Sequence, residues 1–166
     1  MDANNLLAGS AGQGRTRETD IRRDAAGRWW KGDERIDHPG LVRSFDGWID
    51  RAEDGRFCLS NDINWAYFAL EGPAYFVESV ALHAGGVTLH LSGDRTEELD
   101  PSSLRQDELG ALWCDVREGR CPARFDNHAA AALSSLIDED AEGVLLRIGD
   151  AVHRPPVVAD GAAALP

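Results

Sequence analysis

His83 and His90 are the first residues whose spacing could do chemistry. A hairpin predicted over 75–92 puts both on one face at diagonal positions, about 5.5–7 Å apart by strand geometry. Two imidazoles at that distance can begin a metal site, but Glu78 and Asp94 would need a bulge or a loop to supply a third ligand. The pair therefore reads as solvated surface histidines, and no metal is expected. Cys58, Cys114 and Cys121 follow no zinc spacing. Cys58 alternates with Phe57 and Leu59 in a strand and Cys114 follows Trp113, so buried apolar roles suit them better than nucleophilic ones.

Carboxylates are plentiful, but Asp33-Glu34, Glu53-Asp54 and Asp138-Glu139-Asp140 fall at turns and helix ends, where they read as solvated caps. The chain contains no Gly-x-Ser-x-Gly elbow, no His-Glu-x-x-His and no Gly-x-Gly-x-x-Gly. Lys31 is the sole lysine; it follows no glycine-rich turn, which removes a P-loop, and it sits in a polar turn with nothing to lower its pKa for Schiff-base chemistry. Neither a catalytic residue nor a cofactor is expected.

The aromatic residues say more. Trp29, Trp30, Trp65, Tyr67 and Trp113 all lie on predicted strands, and the adjacent Trp29 and Trp30 must face opposite ways. Core filling is the ordinary role of such residues. The functional alternative is an aromatic cleft between two halves of the protein, with Glu71 at its rim, able to bind a small molecule or a protein segment. A tryptophan left exposed could instead be covered by a second copy, giving a homodimer.

Around these residues the chain must supply scaffolding. With 166 residues and 43% hydrophobic content it can bury one medium core or two small ones. The net charge of −12 argues against binding nucleic acid or an anionic membrane surface. Three cysteines without a Cys-x-x-Cys fit a reducing compartment. The opening MDANNLLAGSAGQG has neither a cationic leader nor a signal-length apolar run, and no segment approaches the roughly 20 apolar residues of a membrane span. A cytoplasmic protein is expected.

An amphipathic helix follows Asp37, its predicted N-cap, with Pro39 in the first turn and Leu41, Val42, Phe45, Trp48 and Ile49 on one face. It runs into strands over 56–60 and 63–70, the second apolar on both faces. Before it stands a hairpin, 21–24 against 28–30. After it comes the 75–92 hairpin, with Gly85-Gly86 predicted as a type I′ turn. A polar connection follows over 93–107, then a hairpin turning through Arg117-Glu118-Gly119. A second helix capped by Asp126 or Asn127 leads to a last hairpin turning at Gly149-Asp150. Phe45, Trp48 and Ile49 overlay Leu133, Leu136 and Ile137, and Asp54-Gly55 overlays Glu142-Gly143, which points to a duplicated hairpin–helix–hairpin unit.

Gly27-Arg28-Trp29, Gly32 to Ile36, and Leu41-Val42 to Phe45 also resemble motifs of the bacterial domain of unknown function 1285 family. Leu70-Glu71-Gly72-Pro73-Ala74-Tyr75-Phe76 is similar to that family's Val-Glu-Asp-Ala-Pro-Phe, with Gly72 in place of an aspartate. Leu112 to Arg117 and Val144 to Gly149 are similar to its later motifs, with Arg147-Ile148 replacing Trp-Ser. The resemblance implies an α+β fold of two small halves built on a repeated motif, with antiparallel sheets and a pleckstrin-homology-like C-terminal half. By fold analogy it implies a role in signal transduction. The expected division is a disordered segment over 1–19, α+β halves over 20–71 and 72–154, and a disordered tail over 155–166. The expected function is a non-enzymatic binding or regulatory module. A small hydrolase using carboxylates or Cys58 and a structural or oligomerisation module are the alternatives.

Overall fold

Short runs of alternating apolar and polar residues, broken by glycine turns, make most of the regular structure strand rather than helix. The structure, a computed structural model, describes residues 3, 4, 7 and 17–163. It divides into two compact units, residues 1–74 and 75–166, both α+β.

In the first unit, β1 (Ile21–Arg23), β2 (Trp29–Lys31) and β3 (Glu34–Ile36) form an antiparallel meander. Helix α1 (Pro39–Trp48) follows, then a second meander of β4 (Ile49–Arg51), β5 (Phe57–Ser60) and β6 (Trp65–Tyr67). The short β7 (Ala69–Leu70) returns to lie parallel to β1, giving the order β3-β2-β1-β7. The N-cap of α1 is His38 rather than Asp37: its Nδ1 accepts from the Leu41 N–H at 3.4 Å. The helix stops at Trp48, and Ile49, expected on its apolar face, instead begins β4. Ile49, Leu59 and Ala66 are cross-strand partners in register, and all three are fully buried.

The expected continuous strand over 63–70, apolar on both faces, is corrected in two ways. The chain leaves one sheet at Tyr67 and enters the other at Ala69. Ala66 and Phe68 are buried, whereas Ile63 and Ala69 are exposed and Trp65 and Tyr67 half-exposed. Large aromatic side chains made the outer face look like a core face.

The core of this unit is organised by Trp29, fully buried, with its ring 5.2 Å from those of both Phe45 and Phe68. Its indole N–H donates to Asp46 Oδ1 at 2.8 Å. Arg23, 2% exposed, meets the same carboxylate at 3.2 Å and donates to the Pro73 and Ala74 carbonyls at 3.0 Å each. Burial raises the Asp46 carboxyl above its ordinary pKa, against the opposing pull of Arg23 and the indole.

The second unit opens with β8 (Tyr75–His83), β9 (Gly86–Leu91) and β10 (Arg95–Glu98). The β8–β9 register pairs Leu82 with Val87 and His83 with Gly86, so the turn is Ala84-Gly85, not Gly85-Gly86, and neither turn residue has positive φ. The shift of the turn preserves the faces: Val87, Leu89 and Leu91 are buried while His83 and His90 are exposed. The stretch expected as a polar connection holds β10, a 3-10 turn at Pro101–Ser103 and β11 (Arg105–Asp107). Then come β12 (Leu112–Val116), β13 (Cys121–Phe125) and α2 (Asn127–Ala132), whose N-cap Asp126 accepts from the Ala129 N–H at 2.9 Å. A meander of β14 (Ile137–Asp140), β15 (Gly143–Ile148) and β16 (Ala151–His153) leads to β17 (Val157–Val158).

The duplication extends beyond the helix and hairpin that the sequence aligns. Three strands, a helix, a three-stranded meander and a returning parallel strand occur in both units, and the order β3-β2-β1-β7 recurs as β13-β12-β11-β17. The second unit adds β10-β9-β8 by pairing β8 parallel to β13. The termini are more ordered than composition suggested. Val157 and Val158 pair with Gln106 and Asp107, and Gly161 is buried. At the other end, Leu7 is buried and Arg17 O accepts from the Tyr67 N–H at 2.8 Å. The rest of the segment expected to be disordered, residues 1, 2, 5, 6 and 8–16, and residues 164–166 of the tail lie outside the described residues.

Removing one member of a buried ion pair leaves the other charge uncompensated. Asp46→Ala should therefore destabilise the protein by about 3 kcal/mol, measured by chemical denaturation. A loss near zero would show that the two carbonyls alone suffice for Arg23.

Candidate functional site

Alternation along β4, β5 and β6 fixes what faces outward. With Ile49, Leu59 and Ala66 turned into the core, the next register row, Asp50–Cys58–Tyr67, faces out, joined by the cross-strand pair Ser60–Trp65. These residues, with Arg51 at the end of β4 and Ala52, Glu53 and Asp54 of the β4–β5 connection, line an open groove of about 470 Å³. Cys58 is 5% exposed and forms part of its floor.

The aromatic wall is held in place by charged neighbours. The Trp65 and Tyr67 rings pack edge to face with centroids 5.1 Å apart. Arg17 donates to the Trp65 carbonyl at 2.9 Å and lies 4.8 Å from the centre of its ring. Arg56 stacks 3.7 Å over Tyr67 while forming a bidentate pair with Glu18 at 2.6 and 2.8 Å. The Tyr67 hydroxyl donates to Asp54 Oδ2 at 2.7 Å. That bond, with the Arg56 backbone N–H, holds the Asp54 carboxyl below its ordinary pKa and raises the Tyr67 phenol.

Arg51 completes the site. Its guanidinium lies 4.4 Å over the Phe57 ring, and its buried Nε has no hydrogen-bond partner among the described residues. The lining residues offer two aromatic rings and three carboxylates, Asp50, Glu53 and Asp54, with the Arg51 guanidinium, while Arg17 and Arg56 already stack on the two rings. Such a surface suits a cationic group with an apolar or planar body.

The six residues expected to form a cleft do not share one site. Trp65 and Tyr67 line the groove. Trp29 fills the core of the first unit. Trp30, on the opposite face of β2, is half-buried, and its indole N–H donates to Asp24 at 3.0 Å. Glu71 is exposed just after β7, and its backbone N–H donates to the Arg23 carbonyl at 2.9 Å. Trp113 belongs to the second unit and is 6% exposed. Asp50, Arg51, Asp54 and Ser60 were not singled out from sequence as ligand-binding residues. Their signal was the alternation of Cys58 with Ser60, which becomes useful only once the β4–β5 register is known.

His83 is engaged within its own unit: Nδ1 accepts from the Gly85 N–H at 3.2 Å and Nε2 donates to Glu98 at 2.9 Å. All three cysteines are reduced and buried, and burial pushes the Cys114 thiol far above its ordinary pKa.

No protein-family model matches the chain, and no curated protein matches it. Among solved structures it is similar to a DUF1285 family protein from Silicibacter pomeroyi DSS-3, with a TM-score of 0.64 at 20% identity, over 82% of this chain and 79% of that one. It is also similar to a DUF1285 family protein from Shewanella baltica OS155, with a TM-score of 0.52 at 10% identity, over 66% of this chain and 85% of that one. The resemblance read from sequence motifs is thus matched by a shared α+β fold.

Tyr67→Phe removes the bond that lowers Asp54, so the Asp54 pKa should rise toward its ordinary value in an NMR titration. The sign for stability follows. Asp54, held low in the folded state, stabilises the protein above its unfolded pKa, and this contribution is lost as pH falls through the folded value. The variant should lose stability at neutral pH relative to the parent and converge with it in acid. An unchanged Asp54 titration would show that the hydroxyl is not its main partner.

Proposed function

We propose that this chain is a non-enzymatic, cytoplasmic binding or regulatory module, of the kind signal transduction uses, whose ligand enters the β4–β5–β6 groove. The observation that carries this reading is the half-exposed Trp65–Tyr67 wall beside Asp50, Glu53 and Asp54. The pair is half-exposed on the face of the sheet opposite the buried Ile49, Leu59 and Ala66. The ligand chemistry it favours is an amine or guanidinium on an apolar stem, whether a free small molecule or the side chain of a partner protein.

A hydrolase using Cys58 or the carboxylates would draw on the same floor, where Cys58 is the register partner of both Asp50 and Tyr67. A thiol nucleophile needs a neighbouring base or a lowered pKa. The residues lining the groove include no histidine or lysine, which favours binding over catalysis.

Calorimetric titration with agmatine and spermidine tests the reading. Saturable binding is expected, weakened about tenfold or more by Trp65→Ala or Asp54→Asn and little changed by Cys58→Ser. Absence of binding by either cation, or binding indifferent to Trp65, would overturn it. Turnover of an ester or amide substrate that is lost in Cys58→Ser would favour the hydrolase.

A further inference from the structure

The turn that joins the first two strands of each repeat is built twice from the same parts. In Asp24-x-x-Gly27-x-x-Trp30, Asp24 Oδ1 accepts from the Ala26 and Arg28 N–H groups at 3.0 and 2.9 Å, and Oδ2 accepts from the Trp30 indole at 3.0 Å. In Asp107-x-x-Gly110-x-x-Trp113, Asp107 Oδ1 accepts from the Leu109 and Ala111 N–H groups at 3.0 and 2.9 Å, and Oδ2 from the Trp113 indole at 2.9 Å. The cross-strand neighbours repeat as well. Arg22, Trp30 and Arg35 form one row across β1, β2 and β3; Arg105, Trp113 and Arg124 form the same row across β11, β12 and β13. Guanidinium groups of Arg22 and Arg35 lie 4.9 and 5.6 Å from the Trp30 ring centre, and that of Arg124 lies 5.9 Å from the Trp113 ring centre.

The two rows differ in what covers them. Beyond β17 the chain folds over the second row. The Gly161 carbonyl accepts from Arg105 Nε at 2.8 Å, and Trp113 and Arg105 are 6% and 0% exposed. A β-carbon at Gly161 would overlap the Trp113 indole, so only glycine fits there. Ser103 O and Asp115 complete the hydrogen bonding of Arg105, at 2.9 Å each. Among the described residues the first row has no such cover. Trp30 and Arg22 are half-buried and Arg35 is exposed. Among the described residues no carboxylate or carbonyl partners the guanidinium of Arg22 or Arg35.

We propose that the Arg22–Trp30–Arg35 row is a docking site for a turn of a partner protein that carries an acidic residue beside a glycine, the pair that the Asp160–Ala163 turn places over the covered row. The glycine lets the backbone lie flat on the indole, and its carbonyl meets one guanidinium as Gly161 meets Arg105. The acidic side chain answers the two cations that the fold leaves without a carboxylate. The row is separate from the β4–β5–β6 groove, whose lining residues it does not share.

The test uses the full-length protein and a labelled peptide, PPVVADGAAALP, the sequence of residues 155–166, read by fluorescence anisotropy. Saturable binding is expected, weakened at least about tenfold by Arg35→Glu in the protein and by Gly161→Val in the peptide. Arg35 is exposed, so its variant should keep the parent circular dichroism; Arg22→Gln provides a second variant if that one unfolds. Three results would overturn the proposal. One is no binding. Another is binding that ignores Arg35→Glu, which would place the peptide on the second row in exchange for the protein's own tail. The third is preferential binding of an oligo-dT strand, which would make the row a nucleobase-stacking surface.

Discussion

A buried guanidinium closes each unit. Arg23 on β1 and Arg105 on β11 are 2% and 0% exposed, and each donates to backbone carbonyls of the chain that follows the returning strand. The returning strands β7 and β17 are two residues long, so ladder hydrogen bonds alone anchor them weakly. An arginine aimed at those carbonyls adds charge-assisted bonds to the short ladder. Leaving a guanidinium unpaired inside a protein costs several kcal/mol, so the carbonyls and the carboxylate must be in place together. The helix and meander lie between the arginine and its acceptors in sequence. Closing that bond fixes the unit as a whole.

The same constraint explains which parts of the fold were legible. Hairpins announced by glycine at positive φ, such as those turning at Gly27, Gly119 and Gly149, were readable because the turn chemistry is local. The helix starts were nearly so, although His38 replaced Asp37 because its imidazole reaches the Leu41 N–H. Parallel pairing of β7 with β1 and of β17 with β11 was not legible. Nothing near Val157 tells it to seek Gln106, and the deciding contact joins Gly161 to the Arg105 side chain, 56 residues before it. The turn of the β8–β9 hairpin moved for a comparable reason: His83 accepts from the Gly85 N–H and stabilises a turn that the Gly-Gly pair does not require.

For the groove, residue types were legible and arrangement was not. Trp65 and Tyr67 were singled out as aromatics with a possible ligand, yet they were grouped with Trp29 and Trp113, which are core residues of different units. Sequence spacing reveals which residues share a face of one strand. It does not reveal which face the helix will cover; here α1, with Leu41 and Phe45 buried, packs against β5, and Ile49, Leu59 and Ala66 are the buried side.

A duplicated fold supplies its own comparison for deciding which surface residues are structural. The Asp-x-x-Gly-x-x-Trp turn is present in both copies and holds the architecture, whereas the buried arginines Arg23 and Arg105 stand at neighbouring rather than equivalent positions of the repeat, Arg105 matching Arg22. Where the copies diverge, architecture does not dictate the residue. The second meander, β14–β15–β16, carries no aromatic pair; its outer positions hold Arg147 in an ion pair with Asp138 at 3.0 Å, and Val144 and Val152 stand exposed. The first meander has Trp65, Tyr67 and Asp54 in their place, bonded to one another rather than to the core. Both meanders fold, so the aromatic–acidic cluster is not needed for folding one. Its presence in a single copy is the strongest structural reason to assign the groove a ligand.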